Sequence, residues 1–230
     1  MPFNPAPFIP GNDANGRPRS TLANAEQRVP FLPGIYSPGI RQMDDVFTSA
    51  YHSMQLELNR RFSRGLQFNS SYTLSKSIDS ISSLNLSLPV PDPFNLRHGR
   101  GPSDWDRRHA LVFSGIWTPY ARQDGVLGRL TGGWSLAGIT TIQSGSPLTF
   151  TSGQDTMLHG TGQESRADLV GDPKRSHDST ADMIGRFFDT GAFGQPQLGS
   201  PGTSGRGILS GPARVNTDLA VLKDLSLIHI

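Results

Sequence analysis

Cysteine is absent from this chain of 230 residues, which excludes a disulfide framework and any thiolate metal site. That absence fits a reducing compartment or an envelope protein built without disulfides. Long apolar runs are missing too. The best, "ALVFSGIW" at 110–117, falls far short of the ~18 residues a membrane helix needs. Charge of one sign is also lacking: the formal net charge is +2 and the charges are scattered, so no nucleic-acid footprint is expected. The opening "MPFNPAPFIPGNDANG" has neither a basic region nor an apolar core and does not read as a signal peptide. No amphipathic helix of three turns stands out anywhere.

What the chain does have is turn formers and alternation. Its 26 glycines and 18 prolines exceed the usual combined share of about 12%, which points to many turns and long irregular loops. Between Ser49 and Ser77 side-chain character alternates with a period of two. Even positions carry His52, Met54, Leu56 and Leu58, then Leu66, Phe68, Ser70, Tyr72 and Leu74. Odd positions carry Ser53, Gln55, Glu57 and Asn59, then Gln67, Asn69, Ser71, Thr73 and Ser75. Such a pattern predicts a long hairpin with one apolar and one polar face, turning at "RFSRG" (61–65).

The rest of the chain continues that theme. Residues 1–48 show no sustained period and read as an irregular segment or extracellular loop, and 78–108 as a long loop with several turn signals. Strands are predicted at 109–119, 133–145 and 214–224, the last with Val215, Thr217, Leu219 and Val221 on one face. A shorter connection covers 120–132, and a Gly/Ser/Asp-rich stretch runs from about 146 to 212.

With antiparallel neighbours, the short connections fall at one end of the sheet and the long ones at the other. Structureless loops this long are uncommon in compact soluble domains. Long one-sided loops on two-faced strands are the pattern of a transmembrane β-barrel. About 11–12 residues at ~3.3 Å rise span nearly 40 Å, and a tilt of ~40° leaves roughly 30 Å along the membrane normal. Phe62, Trp117, Tyr120 and Trp134 all fall at the short-turn end, where a barrel carries an aromatic girdle. The expected fold is therefore all-β: antiparallel strands of a transmembrane β-barrel, incomplete at about five strands, forming an open sheet with long irregular loops.

Several stretches resemble one family in order and spacing. They are "SAYHSMQLELNRRFSRGLQFNSSYTLSKSID", "DPFNLRHGRGPSDWDRRHALVFSGIW", "LTGGWSLAGITTIQSGSPLTF", "RADLVGDP", "FFDTGAF" and "GTSGRGILSGPARVNTDLAVLKD". Together they are similar to the carboxy-terminal barrel region of Oar-like TonB-dependent outer-membrane receptors, which carry a carboxypeptidase-regulatory-like domain and a plug before the barrel. The resemblance covers roughly residues 45–224. It implies a partial barrel at 49–224 in the cell outer membrane, in contact with outer-membrane lipid. The other implied partners are the remainder of its own barrel and plug, the TonB complex acting through that missing part, and an unknown ligand at the extracellular loops. The family pattern stops at Asp224, and "LSLIHI" (225–230) breaks the alternation and resembles a translated sequencing adapter, so a non-native tail is expected there.

The remaining constellations carry no assignable chemistry. "DWDRRH" (104–109) packs Asp104, Asp106, Arg107, Arg108 and His109 at a loop-to-strand boundary. It reads as an ion or substrate contact at the rim or, more simply, as charge-assisted hydrogen bonds that order the loop. Asp155, His159, Asp168 and Asp172 match no metal-ligand spacing, and such Asp residues in Gly-rich loops usually cap turns. "GDPKRS" (171–176) lacks the phosphate-loop spacing, and "SGSP" (144–147) lacks the nucleophile-elbow pattern. The sequons at Asn69 and Asn85 are idle in a bacterial barrel. No catalytic, cofactor-binding or metal residue is assigned, and the chain is not expected to be an enzyme. Two alternatives stay open: a secreted or surface-attached β-rich adhesin, and a soluble hydrolase with an active-site loop at 146–213.

Overall fold

The computed structural model describes residues 5–35, 45–82, 92–119, 131–160 and 164–224. In chain order its strands are β1 (Ser49–Ser63), β2 (Leu66–Asp79), β3 (Gly101–Pro102), β4 (His109–Trp117) and β5 (Trp134–Gln143). They continue with β6 (Pro147–Leu148), β7 (Asp168–Leu169), β8 (Phe193–Gly194), β9 (Leu209–Ser210) and β10 (Arg214–Lys223). Helices α1 (Ala25–Arg28) and α2 (Thr180–Gly185) and two 3-10 turns are short. The tail at 225–230, Tyr120 and Asn85 lie outside the described residues.

The chain divides into two compact units. One, the sheet unit, comprises Tyr51–Lys76, Asp106–Ser146 and Gly211–Ile230. Its long strands follow the order β1-β2-β4-β5-β10, and β2, β4, β5 and β10 pair antiparallel with their neighbours. The hairpin β1–β2 turns on two residues. Arg64 and Gly65 have φ of 53° and 77°, the left-handed pair whose twist matches that of the flanking strands. Gly65 is needed for a second reason: a Cβ there would lie 2.1 Å from the Thr118 carbonyl oxygen, while the Thr118 N–H donates to the Gly65 carbonyl at 2.7 Å. β4, β5 and β10 span 9, 10 and 10 residues, slightly shorter than the sequence pattern predicts and within the ~9–11 of a tilted membrane strand.

The other unit gathers Met1–Ala50, Ser77–Trp105 and Pro147–Ser210. These are the segments that lack periodicity, and here they fold upon one another rather than trailing as separate loops. Two ribbons, β6–β9 and β7–β8, fasten distant parts of the 147–210 stretch. Ser179 caps α2 by accepting from the Asp182 N–H at 3.1 Å. Every buried apolar residue among those described lies in this unit, and they are few and mostly small: Ala6, Ala25, Val29, Leu158, Ala167, Ala192 and Leu209. The sheet unit has no apolar core of its own among the described residues.

Candidate functional site

The strand registers sort the sheet's side chains into two faces, because directly paired residues point the same way. One row runs Phe68, Gly115, Gly138, Leu219, and another Leu66, Trp117, Leu136, Val221. Further rows bring Phe113 beside Ser70 and Thr140, then Leu111 beside Tyr72 and Ile142, with Val215 at the end. This face is mostly apolar from β2 to β10, interrupted by Ser70 and by Thr140 and Thr217, whose hydroxyls bond each other at 3.2 Å, and alternation adds Met54, Leu56 and Leu58 of β1. It is also open: Leu219 is 71% and Val221 67% exposed. Within the sheet unit no second layer covers it among the described residues.

The opposite face carries Gln67, Asn69, Ser71, Ser114, Thr141, Asn216 and Asp218. Asn69 donates to the Glu57 carboxylate at 3.0 Å and to the Asn59 side chain, which places the odd residues of β1 on this polar side. The separation is incomplete. Val112, Ile116 and Ile139 also lie here, a finding that the continuous apolar run of β4 conceals in the sequence. A shallow depression of about 450 Å³ centres on the paired Gly115 and Gly138, where two missing side chains thin the wall.

At the short-turn end Phe62, Trp117 and Trp134 are all exposed. Trp134 pairs with Lys223, whose ammonium sits 5.1 Å from the centre of the indole ring and donates to the Gly132 carbonyl. A cation held over a tryptophan at a strand end is the arrangement of a membrane–water boundary, where aromatic faces and lysine tips meet headgroups.

The loop unit is organised by one buried and two half-buried arginines. Arg206 pairs with Asp79 and donates to Ser82 Oγ at 2.6 Å, to the Pro102 carbonyl at 2.9 Å and to the Gly99 carbonyl at 3.1 Å. Gly101 lets it approach, since a Cβ there would meet the Arg206 Cβ at 2.7 Å. Arg166, buried, donates to the Ser204 carbonyl at 3.1 Å and to the His98 carbonyl; burial, with Arg206 nearby, lowers its pKa to about 10. Arg28 donates to the carbonyls of Thr21 at 3.0 Å and Leu158 at 2.7 Å. Sequence reading singled out none of the three. The available signal was a lone arginine in a Gly/Ser-rich stretch, as in "SGRG" (204–207).

The residues weighed from the sequence disperse into structural roles. Ser75 receives "DWDRRH": its N–H donates to the Arg108 carbonyl at 3.0 Å and its hydroxyl to the Arg107 carbonyl at 2.8 Å. His109 Nδ1 bonds the Tyr72 hydroxyl at 2.8 Å, and its N–H donates to Ser144 Oγ of "SGSP" at 3.1 Å. The Asp104 N–H donates to Ser82 Oγ at 2.9 Å, and the Asp106 carbonyl accepts from Arg107 at 3.0 Å. Asp155 and Asp172 accept from the nearby N–H groups of Gly160 and Lys174 at 3.1 and 3.0 Å, the turn-capping arrangement, whereas Asp168 accepts from the distant Thr203 N–H at 2.9 Å and ties two segments together. In "GDPKRS", Arg175 pairs with Asp182 at 3.1 Å. Among the described residues no three His, Asp or Glu side chains are grouped to hold a metal ion.

The one feature on a scale with the whole sheet is its bare apolar face, and comparison with known families bears on it directly. A family model described as an outer membrane beta barrel domain matches residues 2–229. No curated protein and no solved structure matches the chain. With nearly the whole length matched and an antiparallel two-faced sheet to fit it, the chain belongs to the outer membrane beta barrel domain family, resides in the cell outer membrane and contacts its lipid.

Proposed function

We propose that this chain forms part of the barrel wall and the outer loops of a TonB-dependent, Oar-like transporter that moves a ligand across the outer membrane. The observation that carries the membrane part is the uncovered apolar face shared by five neighbouring strands. An adhesin sandwich would bury that face against a second apolar sheet. The five long strands among the described residues are fewer than the eight of the smallest barrels, and in this reading further strands complete the wall. The TonB-dependent part rests on the resemblance of the quoted stretches over roughly 45–224. In this reading the segments 78–108 and 146–213 capture the ligand, a plug moves when TonB pulls, and the chain performs no catalysis.

Recovery of the complete reading frame, followed by co-purification of its product with the carboxy-terminal domain of TonB, tests this. A plug with a TonB-binding segment, and capture that is lost when the segment is deleted, is the expected result. A complete frame that encodes no plug, or a product that ignores TonB, overturns the transporter reading and leaves the outer-membrane wall in place.

A further inference from the structure

We propose that His98 and His159 form an acid-sensitive lock, holding the loop unit closed while both imidazoles are neutral and releasing it when they gain protons. His98 sits in the 3-10 turn Leu96–Gly99. His159 is 2% exposed and follows the turn that Asp155 caps. The Nε2 atom of each is buried without a hydrogen-bond partner among the described residues. An Nε2 that gains a proton there becomes a buried donor at a cost in desolvation, offset in part at His98, where a hydrogen bond to the Pro201 backbone favours the charged ring.

Both histidines stand where segments of this unit join. The His159 carbonyl accepts from the Ala6 N–H at 3.2 Å, its neighbour Leu158 accepts from Arg28 at 2.7 Å, and its ring meets the edge of Phe94 at 5.4 Å between centres. The His98 carbonyl accepts from Arg166, so a proton on His98 adds a second cation beside a guanidinium that is itself buried. The charged groups facing His159 are Asp155, Asp92 and Arg28, and those facing His98 are Arg166 and Asp92. Neither ring has a carboxylate at ion-pair distance among the described residues. The Asp92 carboxylate already accepts from the N–H groups of Phe94 and Asn95 at 2.9 and 3.2 Å, and that of Asp155 accepts from Gly160.

The sign follows from these surroundings. Burial is the main cause that lowers both pKa values below the ordinary 6.5, with Arg166 adding to the effect at His98 and Arg28 at His159. The opened chain therefore binds protons before the closed one does. The stability these groups confer is complete above about pH 6.5 and falls as the pH drops through their folded-state values.

Amide hydrogen exchange of the full chain, refolded in detergent, tests the lock at pH 7.5 and pH 5.0 with rates corrected for intrinsic pH dependence. The lower value stays above the ordinary carboxylate range of about 4. Each histidine that takes up a proton on opening contributes up to about tenfold faster opening-limited exchange per pH unit. The expected result is at least about tenfold loss of protection at pH 5.0 in 92–105, 155–160 and 198–206, with the β4–β5 ladder unchanged. The double variant His98→Gln, His159→Gln should abolish that difference. Should the variant not fold, NMR titration of the histidine ring protons in the native chain decides, with both expected to titrate below pH 6.5. Protection that is equal at both pH values, a difference that survives in a folded double variant, or either ring titrating at or above pH 6.5 overturns the proposal.

Discussion

The sheet unit and the loop unit solve the burial problem in opposite ways. In the sheet, backbone groups satisfy one another along antiparallel ladders, and the large apolar side chains of one face remain open. In the loop unit, small apolar residues occupy the interior and the backbone is tied by buried and half-buried arginines: Arg206 to Asp79, Ser82, Gly99 and Pro102, Arg166 to His98 and Ser204, Arg28 to Leu158. The contrast reflects two solvents. Hydrocarbon offers no hydrogen bonds, so a membrane wall must pair its backbone internally and may leave its greasy side chains outward. Water rewards the reverse, and irregular segments in contact with it must find a partner for every carbonyl and N–H they bury.

Removing the ion that organises the loops should have the largest effect. Arg206→Met leaves the Asp79 carboxylate buried and unpaired, a loss of about 3–5 kcal/mol for breaking one side of a buried pair. Denaturant titration followed by hydrogen exchange should show the loop unit melting early while the β4–β5 ladder keeps its protection. Simultaneous loss of both would mean that the two units fold as one.

The two faces of the sheet give the next test. Arginine in place of Leu56 or Phe68 should cost on the order of 2–4 kcal/mol near the bilayer midplane. The same change at Gln55 or Asn69, on the polar face, should be far milder. Equal losses of assembled barrel in lipid vesicles at both sets of positions would show that the faces are assigned the wrong way round.

The smallest expected effect belongs to the strand end. Lys223→Met removes the cation from the Trp134 ring and should cost roughly 0.5–1 kcal/mol, as an exposed cation–π pair does. Trp134 fluorescence should shift on substitution at unchanged strand content; an identical emission maximum would separate the lysine from the indole.

The long strands were legible because each rule that builds them acts locally. Alternation at 49–77 marks a two-faced hairpin, and Val215, Thr217, Leu219 and Val221 mark the partner face of β10. The run "ALVFSGIW" was legible as a strand but not as a face, since apolar residues occupy both parities and only pairing with β5 sends Phe113 one way and Val112 the other. The loop unit left still less trace. Arg206 and Asp79 are separated by 127 positions, and no period connects residues that meet through hydrogen bonds between irregular segments.

What the sequence by itself determined is the five long strands, a hairpin turn within 61–65 and the apolar parity of β1, β2 and β10, whereas the short β3 and β6 to β9 fall in segments that read as loop. Side-chain direction with a period of two and the left-handed preference of glycine are properties of neighbouring residues. Only the tertiary structure decided the order β1-β2-β4-β5-β10, the mixed polar face and the arginine-centred interior of the loops. Those depend on which distant backbone groups meet, and the cost of burying a charge becomes defined only when its partner has arrived.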